Sequence, residues 1–159
     1  MSMTDLFVTQ EEYDDLVEQL VLKVADDGYK FDTILCLARG GMRVGDIFSR
    51  VHDMPLAILA TSSYRQAAGK QQGDLDIAQF ITKTGGEIAG RMLLVDDMVD
   101  SGKTLEQVVH HLKQQYPAIT EIRVAVLWWK SHSVYTPDYW CEFLDNNPWI
   151  HQPFERYDA

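Results

Sequence analysis

The sequence is poor in cysteine, and it has no group of cysteines and histidines with the spacing of a zinc site. Its two cysteines, Cys36 and Cys141, both lie in apolar surroundings. We therefore favour two buried free thiols over a disulfide. The neighbouring histidines His110 and His111 cannot share one face of a helix. These absences exclude a disulfide framework and argue against a structural zinc ion.

Basic residues are also scarce. The chain has 24 acidic and 14 basic residues, which gives a formal net charge of −10. This balance disfavours non-specific nucleic-acid binding, which needs a basic surface, and attachment to an anionic membrane. It does not exclude a phosphate ligand, because a few local donors and a metal ion outweigh the global field.

No hydrophobic run approaches the roughly 18 residues that a membrane span requires. The N-terminal segment, MSMTDLFVTQEE, lacks the basic and apolar regions of a secretory signal. We therefore expect a cytoplasmic protein without membrane insertion. A length of 159 residues fits one domain with a sizeable core, and we expect 1–159 to form it.

Apolar segments alternate with helix-like segments along the chain. Thr9 and Glu12 form a capping-box signal for a helix that ends near Gly28. Further helices are expected up to about Val51 and over Leu105–Tyr116. The predicted strands are Phe31–Leu37, Pro55–Ala60, Met92–Val95, Ile122–Trp129 and Tyr139–Leu144, with a possible strand at Ile77–Thr82 and an irregular C-terminal tail. The pattern predicts an α/β fold with a central, mostly parallel sheet flanked by helices.

Two polar loops follow predicted strands and should face one crevice at the carboxyl edge of the sheet. The first is Ala38–Gly41. The second is Asp96–Thr104 (DDMVDSGKT), where two adjacent carboxylates and a third at Asp100 precede a small, hydroxyl-rich turn that opens a helix. Backbone amides at a helix N-terminus bind anions, so the turn predicts a monophosphate site. The alternative is a capped polar turn, which does not require two mutually repelling carboxylates.

Two common nucleotide motifs do not fit these loops. A Walker A loop needs a glycine five positions before Gly102, where Asp97 stands instead, and carboxylates there would repel a triphosphate. The segment Arg39–Gly41 does not match the GxGxxG fingerprint of dinucleotide-binding folds.

The segment VDDMVDSGKT resembles the phosphoribosyl-pyrophosphate motif of the type I phosphoribosyltransferases. Ala38–Gly41 is similar to the pyrophosphate loop of that family, and Pro148–Pro153 (PWIHQP) resembles the W-I-x-Q-P tail of the xanthine-guanine phosphoribosyltransferases. Taken together, the chain is most similar to the xanthine-guanine and hypoxanthine phosphoribosyltransferases. The resemblance covers roughly residues 31–154. It implies the family's fold, with the segment 61–90 and the C-terminal tail forming a flexible flap and hood over the active site. It also implies a non-proline cis peptide near Arg39.

The resemblance also implies a role for each candidate residue. Asp100 would be the catalytic proton acceptor from the purine. Phosphoribosyl pyrophosphate would bind through Arg39, Gly40, Asp96, Asp97, Ser101, Gly102, Lys103 and Thr104. The base would contact Lys130, Trp149 and Ile150. Ser63, Tyr64 and Lys70 would belong to a flexible loop that excludes water. Asp96 and Asp97 would hold Mg²⁺, mostly through water.

The implied function is magnesium-dependent transfer of phosphoribose from phosphoribosyl pyrophosphate to guanine, xanthine or hypoxanthine, as in purine salvage. We expect Asp100→Asn to keep phosphoribosyl-pyrophosphate binding and to reduce turnover strongly. Relatives usually form homo-oligomers. Two alternatives remain open at this point: a non-enzymatic, nucleotide-sensing regulator of the same fold, and transfer to a non-purine acceptor such as a pyrimidine.

Overall fold

A computed structural model describes residues 5–63 and 75–158. Within these ranges the helices are α1 (Gln10–Asp27), α2 (Met42–His52) and α3 (Lys103–Gln115), followed by a 3-10 turn at Glu155–Tyr157. The strands are β1 (Asp5–Phe7), β2 (Thr33–Ala38), β3 (Leu56–Ser63), β4 (Leu75–Ile77), β5 (Gly90–Val95), β6 (Met98–Val99), β7 (Ile119–Lys130), β8 (Tyr139–Leu144) and β9 (Trp149–His151). None of the described helices is long and apolar enough to cross a membrane.

The central sheet is parallel except at one edge, which confirms the predicted fold class. Its strands lie in the order β4-β3-β2-β5-β7, with β6 continuing beside β7 and β8 paired to the other side of β7. Among the strands in the described ranges, only β4 runs antiparallel to its neighbour, β3. The carboxyl ends of β2, β3, β5 and β7 therefore lie along the same edge of the sheet.

Helices cover both faces of this sheet. On one face, α1 and α2 pack against alternate residues of the central strands, including Ile34, Leu93 and Leu127. On the other face, α3 packs against the intervening residues, including Leu35 and Leu94. Because both faces are covered, the central strands are apolar at consecutive positions, as the sequence indicated.

The N-terminal helix begins where the capping signal predicted. The Glu12 amide donates to Thr9 Oγ1 at 3.1 Å, and the Thr9 amide donates to Glu12 Oε1 at 2.9 Å. Gly28 ends the helix in the left-handed region, at φ 73°. The two side chains satisfy amides that the first turn leaves without helical partners, and glycine adopts positive φ without strain.

Two predictions about strands are wrong. Only Ile77 of the possible strand Ile77–Thr82 lies in a strand: β4 ends there, the chain bends at 79–80, and Thr82 forms a single bridge with Ile58. The tail was predicted to be irregular but contains β9, which pairs in parallel with β1. Strands of only two or three residues have too few positions to show the alternation of apolar and polar residues that identifies a strand in the sequence.

Candidate functional site

The carboxyl edge of the sheet forms two adjoining cavities that share Arg39, Asp97 and Met98. The first, of about 570 Å³, is lined by Arg39, Asp96, Asp97, Met98, Val99, Asp100, Ser101, Gly102, Thr104 and Leu105. The second, of about 450 Å³, is lined by Arg39, Gly40, Arg43, Asp97, Met98, Trp149, Ile150, Gln152, Phe154, Glu155, Tyr157 and Asp158. The loops after β2 and β5 and the C-terminal tail thus meet, as the positions of these loops predicted.

The two carboxylates after β5 are oriented by backbone amides. The Asp97 amide donates to Asp96 Oδ1 at 2.9 Å, and the Met98 amide donates to Asp97 Oδ1 at 2.7 Å. The Asp97 carbonyl accepts hydrogen bonds from the Leu127 and Trp128 amides of β7. Both side chains are therefore attached to the rigid centre of the sheet rather than to a free loop.

Burial raises the pKa of the Asp96 carboxyl well above its usual range, and the charge of the adjacent Asp97 raises it further. Two carboxylates this close and this enclosed repel each other. A bound cation would relieve this repulsion. Among the described residues, no group of three or more histidine, cysteine, aspartate or glutamate side chains is arranged to hold a metal ion. The pair thus fits a cation that keeps most of its ligands as water or substrate oxygens, which is the usual habit of Mg²⁺.

The loop after β2 approaches these carboxylates so closely that it has no room for side chains. A Cβ on Gly40 would lie 2.7 Å from Asp97 Oδ2, and one on Gly41 would lie 2.6 Å from the Val95 carbonyl oxygen. The Ala38–Arg39 peptide is cis, which confirms the expectation from the family resemblance. Glycine at both positions lets the loop pass close to the carboxylates, with Arg39 and Gly40 lining the second cavity beside them.

The turn before α3 lines the first cavity with Ser101, Gly102, Thr104 and Leu105. Gly102 precedes the helix with φ 83°, and the Lys103 amide donates to Ser101 Oγ at 3.3 Å. A Cβ on Gly102 would lie 2.6 Å from the Tyr135 nitrogen, because the segment after β7 packs on this turn. The Val134 amide also donates to the Ser101 carbonyl at 2.8 Å. The segment after β7 therefore holds the turn in place at the start of α3.

Asp100 is exposed at the rim of the first cavity and has a lysine and a histidine as neighbours. Its Oδ1 lies 3.6 Å from Lys130 Nζ and 2.9 Å from His132 Nε2. The Lys130 side chain is only 5% exposed, whereas Asp100 and His132 are 57% and 43% exposed. The sequence prediction included Asp100 and Lys130, and the two are in contact. It did not include His132, whose position two residues past Lys130 was the available signal.

The C-terminal segment from β9 to the 3-10 turn, residues 149–158, covers the second cavity and is called the hood below. Trp149 is 51% exposed, and its Nε1 donates to Glu155 Oε1 at 3.2 Å. Glu155 Oε2 lies 2.5 Å from His151 Nδ1. The hydrogen bond from Trp149, and then the one from His151, hold the pKa of Glu155 below its usual range. The indole ring is thus held in the hood by its hydrogen bond to Glu155 and stays about half exposed.

The hood is also tied to the sheet by residues that the sequence prediction omitted. Gln152 Nε2 donates to Asp97 Oδ2 at 2.8 Å. The Arg43 guanidinium lies over the Phe154 ring, 3.4 Å from its centroid. Ile150, which was predicted to contact a base, is buried and pairs with Leu6 of β1. Gln152 belongs to the tail motif in the sequence, but the motif alone does not reveal its contact with Asp97.

Some predicted residues lie away from the two cavities. Lys103 is exposed on α3 and Lys130 is buried beneath Asp100, and neither belongs to the two linings described above. Ser63 ends β3, while Tyr64 and Lys70 lie outside the described residues.

Comparison with known proteins identifies a family and several relatives. Residues 9–159 match the family described as the phosphoribosyl transferase domain. The xanthine-guanine phosphoribosyltransferase of Idiomarina loihiensis is 27% identical over 158 residues, which span 98% of this chain and 90% of that protein. The crystal structure of a purine phosphoribosyltransferase from Pyrococcus horikoshii has a TM-score of 0.77 and 29% identity, covering 96% of this chain and 94% of that one.

A further solved structure, the xanthine-guanine-hypoxanthine phosphoribosyltransferase of Helicobacter pylori, has a TM-score of 0.76 and 26% identity. The alignment covers 95% of this chain and 94% of that one. Since the family match spans residues 9–159, the protein belongs to the phosphoribosyl transferase domain family and is a phosphoribosyltransferase.

Proposed function

We propose that the protein transfers phosphoribose from phosphoribosyl pyrophosphate to an oxo-purine base, with Mg²⁺, giving the nucleoside monophosphate and pyrophosphate. The main observation in support of this proposal is that the two cavities meet at Asp97. One is lined by the paired carboxylates and the start of α3, and the other is lined by the half-exposed Trp149. The purine and xanthine-guanine enzymes among the relatives support an oxo-purine as the acceptor.

The 5-phosphate of the substrate would bind at the start of α3. The backbone amides of residues 101–105 and the hydroxyls of Ser101 and Thr104 supply donors in the first cavity. Gly102 allows close approach of the phosphate to the backbone. Lys103 would border this site, since its side chain is exposed on the helix and its amide donates to Ser101 Oγ.

The diphosphate would lie beside Arg39 and the backbone of Gly40, next to Asp96 and Asp97. The two carboxylates would hold Mg²⁺ mostly through water and also contact the ribose hydroxyls. When bound, Mg²⁺ neutralises the charge that accumulates on the leaving diphosphate. The protein's own contribution is to fix both carboxylates by backbone hydrogen bonds, so that they face the sugar without reorganisation.

The base would stack on Trp149, with the backbone of Ile150 contacting its edge and Lys130 donating to its 6-oxo group. Nitrogen 9 attacks carbon 1 of the ribose as the bond to the pyrophosphate oxygen breaks. The proton on nitrogen 7 passes to the Asp100 carboxylate. Positive charge develops on the sugar, as in glycoside cleavage, and the carboxylates nearby stabilise it. Ser63, Tyr64 and Lys70 would close over this site and exclude water.

A spectrophotometric assay with phosphoribosyl pyrophosphate, Mg²⁺ and a panel of bases tests the proposal. The panel is guanine, xanthine, hypoxanthine, adenine and uracil. We expect turnover of at least one oxo-purine, abolished when Mg²⁺ is omitted and restored when it is returned. Turnover of uracil alone would assign a pyrimidine acceptor. Binding of phosphoribosyl pyrophosphate without turnover of any base would refute the proposed acceptor.

A further inference from the structure

The side chain of His132 contacts Asp100, the proposed proton acceptor. Its Nε2 lies 2.9 Å from Asp100 Oδ1, a full hydrogen-bond distance. The backbone near it is held in place, since the Ser133 amide donates to the Lys130 carbonyl at 3.1 Å and the Val134 amide donates to Ser101. The imidazole is therefore presented to Asp100 by an anchored segment.

Both neighbours of the Asp100 carboxylate lie against the same oxygen. Lys130 Nζ and His132 Nε2 both contact Oδ1. Within residues 5–63 and 75–158, Oδ2 has no hydrogen-bond or ion-pair partner. The terminal torsion of an aspartate is broad and roughly two-fold, so an unrestrained carboxylate would not keep one oxygen in one direction. Donation to Oδ1 leaves the lone pairs of Oδ2 free for an incoming proton.

Lys130 alone is a weak anchor for this orientation. Its ammonium is 3.6 Å from Oδ1, longer than an ordinary hydrogen bond. Under the proposed function the same ammonium also donates to the base. His132 then provides the shorter contact, at 2.9 Å, and its ring has fewer rotatable bonds than the lysine side chain.

We propose that His132 is a positioning residue that donates its Nε2 hydrogen to Asp100 Oδ1 and so directs Oδ2 toward nitrogen 7 of the base. This inference rests on the proposed function and deepens it. In the step, the nitrogen 7 proton moves to Oδ2 while the new bond from nitrogen 9 to carbon 1 forms and the bond to pyrophosphate breaks. His132 keeps its own proton throughout.

Two matched amide substitutions test the inference. H132Q places an amide N–H close to the position of Nε2, whereas H132N places its amide near Nδ1 and cannot reach Oδ1. Neither amide titrates, and both are tolerated at a position that is 43% exposed. For H132N we expect kcat to fall on the order of tenfold, because a hydrogen bond to a charged group is lost. The KM for phosphoribosyl pyrophosphate should stay unchanged, and H132Q should recover most of the lost kcat.

A double-mutant cycle separates this role from a general structural one. In a D100N background no carboxylate remains to be oriented, so H132N should lower kcat no further. Equal kcat values for H132N and H132Q in an otherwise active enzyme would overturn the inference and leave the proposed function intact. Additive effects of D100N and H132N would also overturn it. A wild-type chain that turns over none of the bases would refute the proposed function, and this inference with it.

Discussion

Gly40 and Gly41 are neighbours in the sequence, but a side chain at each would meet a different kind of obstacle. At Gly40 the obstacle is the carboxylate of Asp97, at 2.7–2.9 Å. At Gly41 it is backbone, namely the carbonyl oxygens of Val95 at 2.6 Å and Leu37 at 2.9 Å. The Asp97 side chain can rotate away from an added methyl group at the cost of its hydrogen bonds. The backbone of the paired central strands β2 and β5 cannot move away in the same manner.

Gly40→Ala should therefore impair the site more than the fold. The Asp97 carboxylate would have to leave its contacts with the Met98 amide and Gln152. We expect phosphoribosyl-pyrophosphate affinity to fall at least about tenfold, with the free energy of unfolding changed by no more than about 1 kcal/mol. Isothermal titration and urea unfolding measure the two quantities.

Gly41→Ala is the matched control for Gly40→Ala. Its methyl group meets backbone at the junction of β2 and β5, so it should lower the free energy of unfolding by about 1–3 kcal/mol. The same loss of stability in both variants, with normal substrate affinity in Gly40→Ala, would contradict this assignment of the two glycines.

The secondary structure elements differ in how well the sequence predicts them. The capping box of α1 and the apolar runs of β2, β5 and β7 are local signals, and the structure confirms those elements within a few residues. The pairing of β1 with β9 joins residues 5–7 to 149–151 and involves three residues in each strand. Such a pairing depends on tertiary contacts that no local pattern encodes.

The residues of the candidate site also differ in how well the sequence predicts them. The carboxylates and the turn after β5 were predictable because one contiguous segment carries them and a parallel sheet fixes their edge. The contacts of His132 with Asp100 and of Gln152 with Asp97 were not, because they join side chains from separate elements at distances that only the fold determines. A sequence motif identifies the reacting groups, but it does not identify the residues that orient them.

Gln152 connects the hood to the central sheet through its hydrogen bond with Asp97. A substitution of Gln152 tests whether the site depends on this connection. Gln152 follows β9 directly and donates to Asp97 Oδ2 at 2.8 Å. Gln152→Leu keeps a similar size but loses the donor, so both Asp97 and the hood lose a restraint. We expect kcat/KM for the base and for phosphoribosyl pyrophosphate to fall by about tenfold each.

The control for Gln152→Leu is the same substitution at Gln114, which is exposed on α3. Gln114→Leu should leave both kinetic parameters at their wild-type values. Wild-type kinetics in Gln152→Leu would show that the hood and the sugar-phosphate cavity act independently.

At the scale of the whole molecule, a formal charge of −10 coexists with a proposed site for a polyanionic substrate. The two are compatible because binding depends on local donors. The first cavity combines Arg39 with the amides at the start of α3, and a cation beside Asp96 and Asp97 would offset their charge. The net charge instead bears on solubility and on which polyanions are repelled from the rest of the surface.

Thiols and phenols that are buried or partly buried in the core make the stability of the whole molecule sensitive to alkaline pH. Burial, with a smaller effect from the Asp96 charge, raises the pKa of Cys36 from 9.0 to about 11. Burial likewise raises the pKa of Cys141 to about 11 and that of Tyr29 to about 12. Since these groups bind protons more tightly in the native state, their contribution is complete below the unfolded pKa and is lost as the pH rises through the folded pKa.

We therefore expect the free energy of unfolding to decrease as the pH rises above about 9, and Cys36→Ala should make that decrease shallower. Between roughly pH 9.5 and 10.5, one thiol contributes a slope of up to about 1.4 kcal/mol per pH unit, and the variant lacks it. Urea unfolding at several pH values measures the slope separately from the constant cost of the smaller side chain.

Val44→Ala removes buried volume from the same core cluster without a titrating group, so it should lower stability equally at every pH. Equal slopes in Cys36→Ala and the wild type would mean that the Cys36 thiol ionises equally readily in the folded and unfolded chains.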